Sequence, residues 1–177
     1  MLAIYEEAKS YYGPREAAFL PDLKSGQLIA LKISNHFEDN RGDFPMYIHI
    51  IMKLPKDKLD EVQMRAYGSS LTRSFNDSNL LIIDYDAEKI THFRNLDPNE
   101  EPDFFPIPNF DFIQDNMFTS SYIDKATIYS FAYSRGTNMD KRFLRSDRAG
   151  LPEEWEHGMT KGVVIWDNYV AYWIDVW

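Results

Sequence analysis

The sequence predicts an α+β fold, a mainly antiparallel sheet with helices packed on it, and three observations carry that expectation. GVVIW (Gly162 to Trp166) and YVAYWIDVW (Tyr169 to Trp177) are β-rich runs separated only by Asp167-Asn168, a pair that tolerates positive φ, which marks a closing hairpin. QLIALKIS (Gln27 to Ser34) and MYIHIIMKL (Met46 to Leu54) are also rich in β-branched and aromatic residues with partial alternation. The loop HFEDNRGDFP between them supplies the usual turn residues. After Pro55, the positions Leu59, Val62, Met64, Ala66, Tyr67, Leu71 and Phe75 form a helical stripe.

Element by element, LAIYEEAKSYY has apolar positions at Leu2, Ala3, Tyr5 and Ala8 and runs into Gly13-Pro14, which predicts an N-terminal helix over 2–12 with a hard stop. The two strands at 27–34 and 46–54 make a hairpin with a long loop. A helix is expected over 56–74, with Asp57, Asp60 and Glu61 near the positive end of its dipole and Gly68 and two serines weakening it. NLLIIDYDAEKITHF then reads as two strands about a DYDAEK turn, completing a β-β-α-β-β unit over 27–94.

Asp97 to Phe112 breaks the pattern. Pro98, Pro102, Pro106 and Pro108 fix φ and remove donors, which makes the segment extended, while Phe104, Phe105, Phe110 and Phe112 are too apolar to leave in water. The expectation is an arm packed across the body, with a polyproline partner motif as its alternative. IYSFAY (Ile128 to Tyr133) is a further strand, and LPEEWEHGMT (Leu151 to Thr160) a loop or single helical turn.

At 177 residues, with 44% hydrophobic and 15% aromatic content, the chain can bury enough apolar surface to fold as one globular domain over 1–177. Halves at 1–96 and 110–177 would then be bridged by the arm 97–109. With no cysteine there is no disulfide framework, thiolate metal site or cysteine nucleophile. No apolar run reaches the roughly 18 residues that span a bilayer, and Glu6 and Glu7 interrupt any secretory leader, so a cytoplasmic location with no membrane partner is expected. A formal net charge of -9 disfavours direct nucleic-acid binding, which draws its affinity from Lys and Arg on phosphates.

Against that acidic background, Arg135, Lys141, Arg142, Arg145 and Arg148 crowd into fourteen residues. On a helical turn Lys141, Arg142 and Arg145 would share a face able to grip a phosphate or carboxylate, although Asp140 and Asp147 among them also fit a solvated surface. Asp84, Asp86 and Glu88 with His92 are candidate metal ligands at a strand end, but their spacing matches no metal motif. His36, His49, His92 and His157 form no paired-histidine motif, and His49, in an apolar strand, reads as a hydrogen-bonded sheet residue. No GxSxG elbow, Walker loop or GxGxxG is present, so no cofactor is implied. Trp166, Tyr169, Tyr172, Trp173 and Trp177 supply core on one strand face; on the other they would form an aromatic partner surface.

The run RFLRSDRAGLPEEW followed by GVVIWDNYVAYWI resembles the end of the phospholipase-D-like effector domains of some prokaryotic transcriptional regulators, where an LP-containing segment leads into a closing hairpin. It covers less than a quarter of the chain, and the HKD catalytic signature and an N-terminal winged helix are both missing, so no residue role carries over.

The sequence therefore favours a non-catalytic intracellular binding protein of inhibitor, immunity or adaptor type, whose acidic surface suits a basic protein partner. A sensor of a small anionic ligand centred on 135–148 is the alternative. Metal-dependent phosphoester hydrolysis at the 84–92 turn is a third reading.

Overall fold

The computed structural model describes residues 1–33, 46–69, 71–73, 80–83, 105–110, 126–136 and 157–177. Its elements are α1 (Leu2–Ser10), α2 (Pro14–Ala17), β1 (Gln27–Ile33), β2 (Met46–Lys53), α3 (Lys56–Ser69), β3 (Leu71–Arg73), β4 (Leu80–Ile83), β5 (Phe105–Pro108), β6 (Thr127–Arg135), β7 (Gly158–Trp166) and β8 (Tyr169–Val176). The α+β expectation holds; of the expected β-β-α-β-β unit, β1, β2, α3 and β4 lie where the sequence placed them, β3 falls within the span expected to be helix, and the unit's last strand lies outside the described residues.

Six strands form one antiparallel sheet in the order β1-β2-β8-β7-β6-β3. The closing hairpin aligns Trp166 with Tyr169 across the two-residue turn, where Asp167 takes a φ of 47°. That conformation is open to Asp and closed to most side chains. β8 then pairs along its other edge with β2, from Met46 opposite Val176 to Lys53 opposite Tyr169. The strand nearest the chain end therefore occupies the middle of the sheet, and strands from both sides of the proline-rich arm share one ladder.

Alternation gives the sheet two apolar faces. Ile48, Ile50 and Met52 of β2 with Tyr172, Ile174 and Val176 of β8 pack against Tyr5, Ala8 and Tyr12 of the N-terminal segment and Leu59 and Ala66 of α3. On the opposite face, Ile51, Val164, Ala171 and Trp173 pack against Phe105, Ile107 and Phe110. The latter cover is β5 with Phe110, and β5 pairs in parallel with β4, Leu80 aligned with Phe105 and Ile83 with Pro108.

Several expected boundaries move, each for a physical reason. The first helix ends at Ser10, and Gly13-Pro14, read as a stop, also starts α2, because Pro14 at the first helical position has no amide to leave unsatisfied. α3 ends at Ser69, not 74: Gly68 and Ser69 are poor helix formers, and Leu71–Arg73 instead pairs with Ile128–Ser130 of β6. The strand at 80–83 pairs with β5 and not within a local hairpin; the expected DYDAEK turn and the strand after it lie outside the described residues. Gly158 to Thr160, read as loop, belong to β7. The arm's described portion is packed as expected: all four residues of β5 are buried, and its two prolines sit in a two-stranded pair where ladder donors are dispensable. The loop 34–45 and residues 97–104 lie outside the described residues.

Candidate binding cleft

A cleft of about 470 Å³ opens on the helical face of the sheet. Its floor is Phe131 of β6, Val163 of β7 and Tyr172 of β8, three side chains pointing the same way from adjacent strands. One wall is α3, which presents Lys58, Glu61, Val62 and Arg65 at the i, i+3, i+4, i+7 spacing of a single helix face. The other wall is the segment from Phe19 to Ser25, with Asp22 and Lys24 at its rim.

Both walls are fixed. Ser25 N–H and its hydroxyl donate to the Asp22 carbonyl (2.9 and 2.6 Å), and Lys24 N–H donates to Asp22 Oδ1 (2.9 Å), which closes an Asx-type turn. The buried Tyr5 hydroxyl donates to the Pro21 carbonyl at 2.7 Å, and Phe19 meets Phe131 edge to face at 5.4 Å. On α3, Lys58 Nζ lies 2.8 Å from Glu61 Oε1. Hydrogen bonding to that carboxylate raises the Lys58 pKa. Beyond the Phe19 wall, Lys161 donates to the Glu16 carbonyl (3.4 Å) and sits over the Phe19 ring at 5.6 Å; burial pulls its pKa down, with Glu16 opposing and Arg15 assisting.

Tyr172 is the polar group of the floor. It is 4% exposed and lines the cleft. Burial pushes its pKa well up, and the positive Arg65 side chain pulls the other way.

A second polar group lies on the opposite face. His49 Nε2 is 2.7 Å from Asp175 Oδ1, and the two are 3% and 0% exposed. Tyr47 stacks on the His49 ring at 4.9 Å. Thr160, opposite Asp175 in the ladder, donates to the Pro106 carbonyl at 2.6 Å and accepts from Trp173 Nε1 at 3.3 Å. His49 is thus the hydrogen-bonded sheet residue expected, and this polar seam ties β2, β7, β8 and β5 together.

The aromatic partner surface is corrected. Trp166, Tyr172, Trp173 and Trp177 are 2%, 4%, 0% and 0% exposed, and only Tyr169 is half-buried, stacked on Trp166 and lying under Lys53. Both faces of β8 are covered, one by helices and one by β5 and Phe110, so beyond Tyr169 neither alternate set of its side chains reaches solvent. Of the basic cluster, Arg135 is exposed at the end of β6; Lys141, Arg142, Arg145 and Arg148 lie outside the described residues, as do Asp84, Asp86, Glu88 and His92. Among the described residues no three His, Asp or Glu side chains gather closely enough to hold a metal ion, and no helix is long and apolar enough to cross a membrane.

No protein-family model, curated protein or solved structure matches this chain. The short likeness to phospholipase-D-like effector domains gains no support from them. The cations at the cleft, Lys24, Lys58 and Arg65, come from two distant segments, so no local run announces them; the one legible signal is the face shared by Lys58, Glu61, Val62 and Arg65 in the sequence of α3.

Proposed function

We propose that this chain is a non-catalytic binding protein whose ligand seats in the cleft between α3 and the Phe19 to Ser25 segment. One observation carries the reading: a recess of about 470 Å³, within the range of small-ligand sites, has an apolar floor on rigid strands and charged groups confined to its walls and rim. Its polar groups are turn, ion-pair and hydroxyl groups suited to orienting a ligand. The test is a screen of small molecules by amide-resolved NMR on the full chain. Ligands should shift Val62, Phe131, Val163 and Tyr172 together, and Val62→Trp, which fills the cleft, should abolish those shifts; a hit set that perturbs other surfaces, or survives Val62→Trp, would remove this reading.

Exposed apolar side chains favour a second reading. Met64 and Tyr67 on α3 are 68% and 74% exposed, and the net charge of -9 suits a basic protein partner of the inhibitor or adaptor kind in a cytoplasmic setting. Met64→Lys should weaken any such complex without touching cleft ligands. An identified partner that binds this variant as tightly as the parent would dock elsewhere.

A further inference from the structure

We infer that the outward face of α3 docks a Lys- or Arg-rich amphipathic helix of another protein, with Met64 and Tyr67 as apolar anchors and Asp57 and Asp60 as the acidic end. The inference rests on the partner-binding reading and adds the chemistry of the partner.

α3 has three faces. Leu59 and Ala66 are buried in the core, and Lys58, Glu61, Val62 and Arg65 line the cleft. Asp57, Asp60, Met64 and Tyr67 recur at i, i+3, i+7 and i+10 and share the third. Met64 and Tyr67 are 68% and 74% exposed. One exposed apolar side chain is ordinary, but Gly68, one turn after Met64, marks the same face as a contact surface. Glycine is less favourable in a helix than alanine, its φ here is not the positive one of a helix cap, and a β-carbon would meet nothing within 4 Å. The fold itself therefore has no use for glycine at 68. A helix pressed on Met64 and Tyr67 from outside does, because the missing side chain lets its backbone come close.

The chemistry of the occupant follows from the charges. Tyr67 meets Tyr129 edge to face at 5.6 Å and shares a hydrogen bond with it, so its ring is held in place while most of it stays in solvent. A fixed tyrosine ring attracts Lys and Arg cations to its face, and Asp57 and Asp60 continue that preference along the helix. Lys56 lies 3.3 Å from Asp60, but the two side chains are 88% and 48% exposed, a contact weak enough for a partner's cation to replace. With a net charge of -9, a second copy of this chain suits the face less well than a basic partner.

The experiment is fluorescence anisotropy of the full chain with two labelled model peptides, amphipathic helices built from leucine and lysine and from leucine and glutamate. The lysine peptide should bind about tenfold or more tightly than the glutamate peptide. Gly68→Gln changes no charge and fills the open space. It should lower the lysine peptide's affinity about tenfold or more while raising the melting temperature, a pair of effects that damage to the fold would not give. Equal binding of the two peptides would overturn the inference, as would lysine-peptide binding that Gly68→Gln leaves intact, which is diffuse attraction to an acidic chain. If the chain sediments as a dimer that Met64→Lys dissociates, a second copy occupies the face and the inference is wrong. If an identified partner loses affinity on Met64→Lys but the lysine peptide does not bind, the basic helix is overturned and the partner-binding reading stands. If Met64→Lys alters neither partner nor peptide binding, both fail.

Discussion

At Gly162 a β-carbon would run into the carbonyl oxygen of Tyr129 and the ring of Trp173. The carbonyl belongs to the neighbouring strand and cannot swing aside, and the ring is fully buried. Gly162→Ala is therefore expected to destabilise the fold by about 1 to 3 kcal/mol, toward the upper end, through forced displacement of a packed indole. Urea denaturation would show it, and a variant as stable as the parent would mean the strands can separate more easily than their packing implies. The His49–Asp175 pair makes a different prediction. Asp175→Ala alone strands a buried imidazole and should cost about 3 to 5 kcal/mol, whereas adding His49→Leu should recover part of that loss, so the double change falls short of the sum of the singles. Strict additivity in the double-mutant cycle would show that the two groups do not depend on each other. In the sequence, His49 was recognisable as a sheet residue from its apolar neighbours. Its partner was not, because Asp175 lies 126 positions away and only the pairing of β2 with β8 brings it near.

Among the elements, those specified by nearby residues were legible and those specified by distant partners were not. Asp167-Asn168, Pro55 before α3 and the alternation in Gln27 to Ile33 act within a few residues, and the hairpin, α3 and β1 follow from them. Leu71–Arg73 could not be separated from the end of α3, since its strand character comes from the open edge of β6. Nor could the parallel match of β4 with a proline-bearing segment, which no local turn dictates. The exposure of the closing aromatics failed for the same reason: a strand's two faces are written in its alternation, but which layers cover them is decided elsewhere. Removing residues 163–177 should abolish cooperative folding, because it takes the last four of the nine residues of β7 and all of β8, which leaves β2 without its inner neighbour and β6 with only part of its own. Single large-to-small changes in such cores already cost about 3 to 5 kcal/mol against a total stability of about 5 to 15 kcal/mol. A truncated chain that still unfolds in one sharp transition would contradict this placement of the hairpin at the centre.

For the molecule as a whole, the distribution of buried tyrosines sets an alkaline limit. Burial raises Tyr5, Tyr12 and Tyr172 well above their ordinary value of 10.0, and Tyr129 is pushed up to about 12 by burial and by its hydrogen bond with Tyr67. A raised pKa in the folded state means that the unfolded chain releases protons first as the pH climbs. The contribution of these groups is thus complete below pH 10 and is lost as the pH rises through about 12 and beyond, each tyrosine adding a slope of up to about 1.4 kcal/mol per pH unit. Circular dichroism and tyrosinate absorbance recorded together should show these four of the eleven tyrosines ionising only as the fold is lost; ionisation of all eleven near pH 10 with the fold intact would refute it. The central position of β8 has a further meaning for a chain made one residue at a time. His49 leaves the ribosome 126 residues before Asp175, which at about 5 to 20 residues per second is a wait of roughly 6 to 25 s. Throughout that interval β2 has an unoccupied edge and an apolar face on either side, so the nascent chain has to be kept from other strands until β8 emerges, and only then can the whole sheet close.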